Sequence, residues 1–236
     1  MKSAIITGAS KGIGKAIALK LAALSYSLVL VGRNKEHLAN IKSEIEKMGG
    51  RCKILSLDLE KEETPDLIVE EGIAHFGQID ILINNAGLAH SSKIMDTDID
   101  IWNKLFHINA RAPFFLCKAA VPFLRKSKNP VIINISSVVG FKGYAGQAAY
   151  ASSKHALAGF TKVLAKEVQE DGIKVHLISP GGVNTEMVQK MRPDIDTSEL
   201  IQPDEIAELV EFLVTRQGKG IIDHLYIRRQ SGQAFD

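Results

Sequence analysis

The sequence has few cysteines, few aromatic residues and almost no net charge. Its two cysteines, Cys52 and Cys117, form no CxxC pair and accompany no histidine cluster, which argues against a disulfide framework and against a structural zinc site. The 29 basic and 27 acidic residues leave a net charge of +2, too weak a field to attract nucleic acid or anionic lipid. We therefore expect no metal and no nucleic-acid partner.

Long apolar runs are also missing. No stretch approaches the roughly 18 apolar residues of a membrane span, and the N-terminus MKSAIITGAS contains no signal-peptide core. Reduced thiols are usual in the cytosol. The sequence therefore predicts a soluble, cytoplasmic protein with no membrane partner.

The composition is that of an ordinary globular chain. Of its 236 residues, 45% are apolar and 24% are charged, which excludes a disordered protein. The length fits one α/β domain with a full core. We expect one domain over residues 1–236, with a polar flap next to the substrate at about 186–202.

Short aliphatic runs alternate with helical patterns along the chain. Most of the runs are continuously apolar, as in parallel strands covered on both faces, and the two longest helical patterns span 102–124 and 148–168. The fold class predicted is α/β, a doubly wound parallel sheet of about seven strands with helices on both faces. The predicted strands are Ala4–Ile6, Leu28–Val31, Ile54–Leu57, Ile79–Ile83, Val131–Ile135, Val175–Ile178 and His224–Ile227.

A glycine-rich turn, TGASKGIG, follows the first predicted strand. Gly8, Gly12 and Gly14 would let a pyrophosphate approach the backbone at a helix N-terminus, where free N–H groups and the dipole favour anions. The spacing differs from the common Gly-x-Gly-x-x-Gly fingerprint. The alternative is an ordinary strand-to-helix turn, but its position opening an apolar helix favours a nucleotide site.

The residues after the second strand distinguish NADP from NAD. An acidic residue there binds the ribose 2′-hydroxyl of NAD, whereas an arginine suits the 2′-phosphate of NADP. The sequence has Arg33 at this place and no carboxylate before Glu36, and Lys11 adds a second cation in the glycine turn. Either cation can instead be a solvated surface charge. Together they favour NADP(H) as cofactor.

Tyr150 and Lys154 stand four residues apart at the start of a predicted helix, so both side chains share one face. An ammonium group stabilises a phenolate and lets a tyrosine act near neutral pH. Ser136 and Ser137 end a predicted parallel strand just upstream, where ligands bind in this architecture. The alternatives are two partly exposed helix residues and a serine-rich turn that only caps backbone.

These motifs occur together in one order. They are TGASKGIG, Asp58-Leu59, NNAG at 84–87, Asn109, ISS at 135–137, YASSK at 150–154 and SPGGVNT at 179–185. In order and spacing, over about residues 1–190, the chain resembles the short-chain dehydrogenase/reductase family, of the NADP(H)-dependent carbonyl reductase type. The resemblance implies a Rossmann-type fold and an oxidoreductase.

The resemblance also implies catalytic roles. Tyr150 would donate a proton to the forming alkoxide, and Lys154 would lower the pKa of that tyrosine and bind the nicotinamide ribose. Ser137 would orient the substrate carbonyl, with Ser136 the weaker candidate, and Asn109 would help to hold a water that links Lys154 to solvent.

For the cofactor, the resemblance implies a contact from Asp58 to the adenine and one from the Val183 backbone to the carboxamide. Asn84 would tie strands together rather than touch the cofactor. The remaining cofactor-binding residues implied are Gly8, Ser10, Lys11, Gly12, Ile13, Gly14, Arg33, Leu59, Asn85, Ala86, Gly87, Tyr150, Lys154, Pro180, Gly181 and Thr185.

The substrate is less defined. Its pocket is expected between residues 88–96, 138–147 and 186–202, and the lining predicted there favours a small apolar or aromatic carbonyl compound, although such residues also serve packing. The lining residues predicted are Leu88, Ile94, Val138, Phe141, Tyr144, Met187, Val188 and Met191.

Two other functions remain open. A 3-oxoacyl-[acyl-carrier-protein] reductase would need a basic patch for an acidic partner, and the candidates are Arg125, Lys126 and Lys128, countered by acids at 167–171 if these lie nearby. The C-terminal run IIDHLYIRR lacks the Val-Asp-Gly-Gly turn common in the family, which weakens that assignment. An NADP(H)-binding redox sensor without turnover would typically lack the tyrosine or lysine.

A homotetramer or homodimer, paired through the helices at 102–127 and 148–170, is expected from the resemblance.

Overall fold

A parallel β-sheet forms the centre of the computed structural model, which describes residues 2–191 and 195–233. Within these residues the sheet has seven strands in the order β3-β2-β1-β4-β5-β6-β7, and every neighbouring pair is parallel. This confirms the predicted doubly wound parallel sheet. The strands are β1 (Ser3–Thr7), β2 (Ser27–Gly32), β3 (Arg51–Ser56), β4 (Ile81–Asn84), β5 (Val131–Ile135), β6 (Lys174–Pro180) and β7 (His224–Ile227).

Helices cover both faces of the sheet. No helix in the described part of the chain is both long and apolar enough to cross a membrane. The α-helices are α1 (Gly12–Ala23), α2 (Lys35–Lys47), α3 (Thr64–Phe76), α4 (Ile99–Phe106), α5 (Ala112–Leu124), α6 (Ala148–Glu167), α7 (Glu186–Met191) and α8 (Pro203–Thr215). A π-helical segment, His107–Arg111, joins α4 to α5, and single 3₁₀ turns occur at Ile94–Asp96, Val138–Gly140 and Thr197–Glu199.

Alternation along the strands explains why the runs are continuously apolar. Ile6 packs with α1 and α8 on one face of the sheet, whereas its neighbour Ile5 packs with α3 and α5 on the other. Since successive side chains point to opposite faces, a strand buried on both needs an apolar residue at every position. Two cores, one on each face, hold the sheet in place.

The order of the strands indicates where in the molecule a ligand would bind. The chain runs outward from β1 through β2 to β3, then returns to β4 on the other side of β1 and continues to β7. In open parallel sheets, ligands bind beyond the carboxyl ends of the strands where the order reverses. That point lies between β1 and β4, so the glycine turn after β1 faces Asn85 after β4.

Some element bounds differ from the sequence prediction. The edge strand β3 begins at Arg51, three residues before the expected Ile54, because an edge strand accepts exposed polar residues that an aliphatic pattern misses. The long helix begins at Ile99 rather than at 102 and contains the π segment.

The expected flap at 186–202 is described on both sides of residues 192–194. It begins with the short helix α7 and returns through a bridge between Val183 and Ile201. Pro193, which falls within this polar stretch of the sequence, lies outside the described residues.

Candidate functional site

A cleft of about 850 Å³ runs along the carboxyl ends of the strands. Its volume is within the range of ligand sites. One end is lined by Arg33 and Asp58, which follow β2 and β3, and the other by Tyr226 and Arg229, in and after β7. We call these the nucleotide end and the reaction end, since Tyr150 also lines the second.

The glycine turn forms a cradle that no larger residue could form. Gly8 and Gly12 have φ of +63° and +55°, and a Cβ at Gly8 would lie 2.7 Å from Ala86 Cα. A Cβ at Gly14 would collide with the Gly8 carbonyl oxygen and lie 2.6 Å from Asn85 Nδ2. The turn delivers the N-terminus of α1, where no side chain caps the free N–H groups. This geometry suits an anionic group such as a pyrophosphate.

Two side chains lock the turn to the loop after β4. The Asn85 amide donates to the carbonyl oxygens of Thr7 and Gly8, at 2.9 and 3.1 Å. In return, the Thr7 hydroxyl oxygen accepts from the backbone N–H groups of Asn85 and Ala86, each at 3.1 Å. Asn85 therefore lines the cleft and also fixes the shape of the glycine turn.

The charges at the nucleotide end are Arg33, Lys11 and Asp58. Arg33 is exposed and lines the cleft, and no described residue forms an ion pair with it. Lys11 is paired with Glu186 of α7, with 2.5 Å between Nζ and Oε2. One oxygen of Asp58 accepts from the Glu60 backbone N–H at 3.0 Å. Arg33 is therefore the readier of the two cations for a phosphate.

Tyr150, Ser137 and Lys154 come together at the reaction end. Burial raises the pKa of Tyr150 above its usual value of 10.0, and a hydrogen bond with Ser137 opposes this rise. Lys154 is buried, its Nζ donates to the Ile135 carbonyl oxygen at 3.1 Å, and burial lowers its pKa from 10.5 to about 8. The role expected for Lys154, lowering the pKa of this tyrosine, stays a prediction. Tyr150 is thus held protonated.

Asn109 lies behind the cleft rather than on its wall. Its Oδ1 accepts from the Leu88 N–H at 2.8 Å, and its Nδ2 donates to the Leu88 carbonyl oxygen at 2.8 Å and to Ser153 Oγ at 2.9 Å. It therefore joins the loop after β4 to α6. The site for a Cβ at Gly87 lies 3.5 Å from Asn109 Oδ1 and 3.6 Å from Lys154 Nζ, so this glycine keeps the space beside the lysine open. The water role expected for Asn109 stays a prediction.

Two further polar residues lie in the core near the site. Asn84 donates to Asn134 Oδ1 at 2.8 Å across β4 and β5, as expected of a residue that ties strands together. Ser136 lines the cleft, but its Oγ is buried with no hydrogen-bond partner among the described residues.

The structure brings most of the predicted cofactor and catalytic residues to one cleft. Two of the predicted residues, Asn109 and Gly14, lie behind the cleft wall. Gly14 acts through its close packing on the glycine turn. Those on the wall are Gly8, Ser10, Lys11, Gly12, Ile13, Arg33, Asp58, Leu59, Asn85, Ala86, Gly87, Ser137, Tyr150, Lys154, Pro180, Gly181, Val183 and Thr185.

The predicted substrate lining is correct at six positions and wrong at two. Ile94 is 75% exposed and turned to solvent, because its 3₁₀ turn lies outside the cleft. Phe141 stacks on His224, with 4.6 Å between the ring centroids, instead of entering the cleft. The residues that do line it are Leu88, Val138, Tyr144, Met187, Val188 and Met191.

The sequence analysis missed one wall of the cleft. Lys142, Tyr226 of β7 and the C-terminal tail after β7 line the reaction end, and the tail contributes Arg228, Arg229, Gly232 and Gln233. Because β7 was predicted as a parallel strand, the residues that follow its carboxyl end were a usable signal.

The basic cluster considered for a carrier protein is partly neutralised. Arg125 forms an ion pair with Asp171, with 2.9 Å between Nε and Oδ2. The Lys126 ammonium lies over the Phe123 ring, 5.4 Å from its centroid. Of the acids at 167–171, Asp171 thus reaches this patch and leaves less positive charge for a docking partner.

Comparison with known families and curated proteins gives consistent results. Residues 2–196 match the family model described as short chain dehydrogenase. An uncharacterized oxidoreductase of Staphylococcus epidermidis is 35% identical over 227 residues, which cover 96% of each chain. A 3beta-hydroxysteroid dehydrogenase of Mediterraneibacter gnavus is 33% identical over 197 residues, 83% of this chain and 71% of the other.

Solved structures resemble the whole chain. A metagenomic short-chain oxidoreductase in complex with NADP is 31% identical, with a TM-score of 0.85 and 98% of each chain covered. An alcohol dehydrogenase of the archaeon Thermococcus sibiricus, complexed with 5-hydroxy-NADP, is 26% identical, with a TM-score of 0.91 over 99% of this chain and 98% of the other.

Proposed function

The chain belongs to the short chain dehydrogenase family, and we propose that it catalyses the NADPH-dependent reduction of a ketone or aldehyde to an alcohol. The observation that carries the proposal is the meeting of Ser137, Tyr150 and Lys154 at one end of a cleft whose other end is a phosphate cradle.

The cleft fits a dinucleotide by its own features. The uncapped N-terminus of α1 and the glycine turn suit the pyrophosphate, and Lys154 lies at the edge that would hold the nicotinamide ribose. Arg33 is placed for a 2′-phosphate, which supports NADP over NAD. NADP bound to one structural neighbour and 5-hydroxy-NADP bound to another give the same indication.

The chain's own residues supply the proton and the orientation. When bound, NADPH provides the hydride for the carbonyl carbon. Tyr150 gives its phenolic proton to the carbonyl oxygen, which becomes the alcohol hydroxyl, and the raised pKa keeps that proton in place at neutral pH. Ser137 holds the carbonyl oxygen beside the phenol. Lys154 contributes positive charge that stabilises the tyrosinate left after transfer.

The walls of the reaction end favour a carbonyl carried on an apolar or aromatic body. Leu88, Val138, Met187, Val188 and Met191 line it, with Tyr144 at the rim. The relative from Mediterraneibacter gnavus is named for a hydroxysteroid, an apolar alcohol. This supports an apolar substrate body for the present chain as well.

We also propose that the protein is a cytoplasmic homodimer or homotetramer. Phe114 and Phe115 on α5 and Val163 on α6 are large apolar side chains with 42–54% of their surface exposed. Cover by a second copy would remove this surface from water. Cys52 and Cys117 are buried and unpaired, as is usual in a reducing compartment.

The test is NADPH oxidation, followed by absorbance, against aromatic diketones, an aliphatic ketone, a quinone and an acetoacetyl thioester, repeated with NADH. We expect turnover of an aryl ketone or diketone, and with NADPH rather than NADH. Turnover confined to the thioester would favour the carrier-protein reductase instead. NADPH binding with no turnover of any compound would contradict the reductase and favour a sensor.

A further inference from the structure

The flap helix α7 begins with an acidic residue that reaches the glycine turn. Glu186 is the first residue of α7, and its Oε2 lies 2.5 Å from Lys11 Nζ. Each of the two side chains has 55% of its surface exposed, and both residues line the cleft. The flap, which belongs to the reaction end, is therefore linked by an ion pair to the nucleotide end.

Close packing beside this ion pair brings its two partners together. The Cγ2 atom of Thr185, the residue before Glu186, lies 3.0 Å from the position that a Cβ at Gly12 would take. Gly12 in turn follows Lys11 in the glycine turn. The two chain segments can approach because Gly12 has no side chain, so the ion pair forms between neighbouring segments and does not bridge a wide gap.

The ion pair lies at the end of the cleft where a 2′-phosphate is expected. The position for a Cβ at Gly32 lies 3.3 Å from Ser10 Cβ, so the residues that follow these two, Arg33 and Lys11, reach the same end of the cleft. An arginine at this place suits the 2′-phosphate of NADP. A carboxylate paired with the neighbouring cation opposes that phosphate, because like charges repel.

The Glu186 side chain carries its negative charge at neutral pH. The hydrogen bond from Lys11, and then the charge of Lys11, lower the pKa of the Glu186 carboxyl, and the charges of Lys190 and His37 lower it further. His37 lies in the first turn of α2, the helix that begins just after Arg33. The carboxylate therefore lies among the cations of the nucleotide end, although it belongs to the flap.

We propose that Glu186 is a specificity-determining residue for the cofactor, which holds Lys11 and reduces the preference for NADP(H) over NAD(H). The inference rests on the proposed function and adds a flap residue to the selection of its cofactor. A 2′-phosphate must replace the carboxylate in order to bind Lys11, whereas the 2′-hydroxyl of NAD(H) leaves the ion pair in place. Arg33 and Glu186 thus act on the cofactor preference in opposite directions.

The test measures the Kd values of NADP⁺ and NAD⁺, which differ only in the 2′-phosphate, by isothermal titration calorimetry without substrate. Glu186→Gln removes the charge and keeps the size of the side chain. The ratio of the Kd for NAD⁺ to the Kd for NADP⁺ should therefore rise about two- to fivefold, the effect expected of an exposed ion pair. Lys11→Gln should lower this ratio by about the same factor. Both changes should shrink as salt is added, because the charges are exposed.

Glu71→Gln is the matched control. It also removes one negative charge from a partly exposed ion pair, in which Glu71 Oε2 lies 3.1 Å from Lys53 Nζ, and neither residue lines the cleft. This variant should keep the wild-type ratio. The Kd for NAD⁺ reports on folding in every variant, since a protein that fails to fold loses both dinucleotides.

Two results with Glu186→Gln would overturn the inference. An unchanged ratio would show that the carboxylate does not act on the cofactor, and an equal gain in affinity for both dinucleotides would show that it acts on the pyrophosphate that they share. Failure of the proposed function is a separate result, the absence of NADPH turnover with every carbonyl compound, and the two Kd values decide the inference in that case too. If neither dinucleotide binds the wild-type protein, the cofactor proposal and the inference are both overturned.

Discussion

The two ends of the cleft are built in different ways. The nucleotide end comes from residues 7–87, where strands β1 to β4 follow one another, and its shape depends on glycines and backbone N–H groups. The reaction end is assembled from four separate segments, near residues 88–89, 137–154, 180–195 and 226–233, and its chemistry depends on side chains. Backbone geometry thus builds one end of the cleft, and side chains from distant segments build the other.

This difference indicates where side chains can be substituted without destabilising the fold. A side chain in the glycine turn would collide with backbone, so that end tolerates little variation. The reaction end is walled by a flap and a tail, where a new side chain alters the lining without disturbing the sheet. The following four changes test that separation, from the largest expected effect to the smallest.

The first change tests whether chemistry can be removed without nucleotide binding. Tyr150→Phe deletes the proton donor and keeps the ring, so kcat should fall by about 10²–10⁴-fold. The Kd for NADPH, measured by fluorescence titration, should stay within about twofold because the phenol acts mainly in the transition state. A variant that keeps more than about a tenth of wild-type kcat would remove Tyr150 from the acid role.

The second change tests how much the burial of Lys154 at the reaction end lowers the free energy of unfolding. Burial lowers the pKa of Lys154 to about 8 in the folded protein, against 10.5 unfolded. Between these values the unfolded chain binds more protons, so the stability linked to Lys154 rises with pH. Lys154→Met should therefore gain stability relative to wild type near neutral pH, by an order of a few kcal/mol at most, and lose that gain near pH 10.5.

Urea unfolding of both proteins at the two pH values measures this difference. The buried thiols of Cys52 and Cys117, whose pKa values burial raises to about 12, affect both proteins equally and cancel. A difference in stability that does not vary with pH would show that Lys154 carries no protonation cost.

The third change tests the rigidity of the nucleotide end. Gly14→Ala places a methyl group against the Gly8 carbonyl and Asn85, and we expect a loss of about 1–3 kcal/mol in unfolding free energy with weaker NADPH binding. Gly159→Ala is the matched control, since its Cβ would meet nothing within 4 Å on the exposed side of α6. That variant should gain up to about 1 kcal/mol. Equal effects of both substitutions would contradict the close-packing argument.

The fourth change tests the charge that selects the cofactor. Arg33→Asp should weaken NADPH binding about tenfold, the loss of one charge-assisted bond, and narrow or reverse the preference over NADH. Lys35→Asp makes the same charge change two residues away and outside the cleft lining, so its effect should be much smaller. Unchanged discrimination in Arg33→Asp would assign the phosphate to another residue, such as Lys11 once it leaves Glu186.

Local pattern was enough to predict most of the fold and the nucleotide end. Strand β5 has the predicted bounds, Val131–Ile135, because every position is buried and aliphatic, and β7 also has its predicted bounds. Gly8 and Gly12 were recognisable because a close backbone approach demands glycine at a fixed place after β1.

The reaction end was predicted less well because it depends on where loops turn. Phe141 is as apolar as Val138, yet it packs on His224 outside the cleft. Arg229 reaches the cleft only because the tail folds back beside Gly182. Such contacts join residues far apart in the chain, and no local periodicity encodes them.

The π segment at His107–Arg111 has a consequence for how this helix could be altered. Each residue of an α-helix advances the direction of its side chain by about 100°, so one extra residue in a turn rotates everything beyond it by that angle. Deleting a residue from the segment would restore a regular helix and turn α4 relative to α5. Either Leu105 would leave the core or Asn109 would point away from Leu88 and Ser153. The irregular turn therefore sets the rotation of the helix so that Leu105 points into the core and Asn109 points toward Leu88 and Ser153.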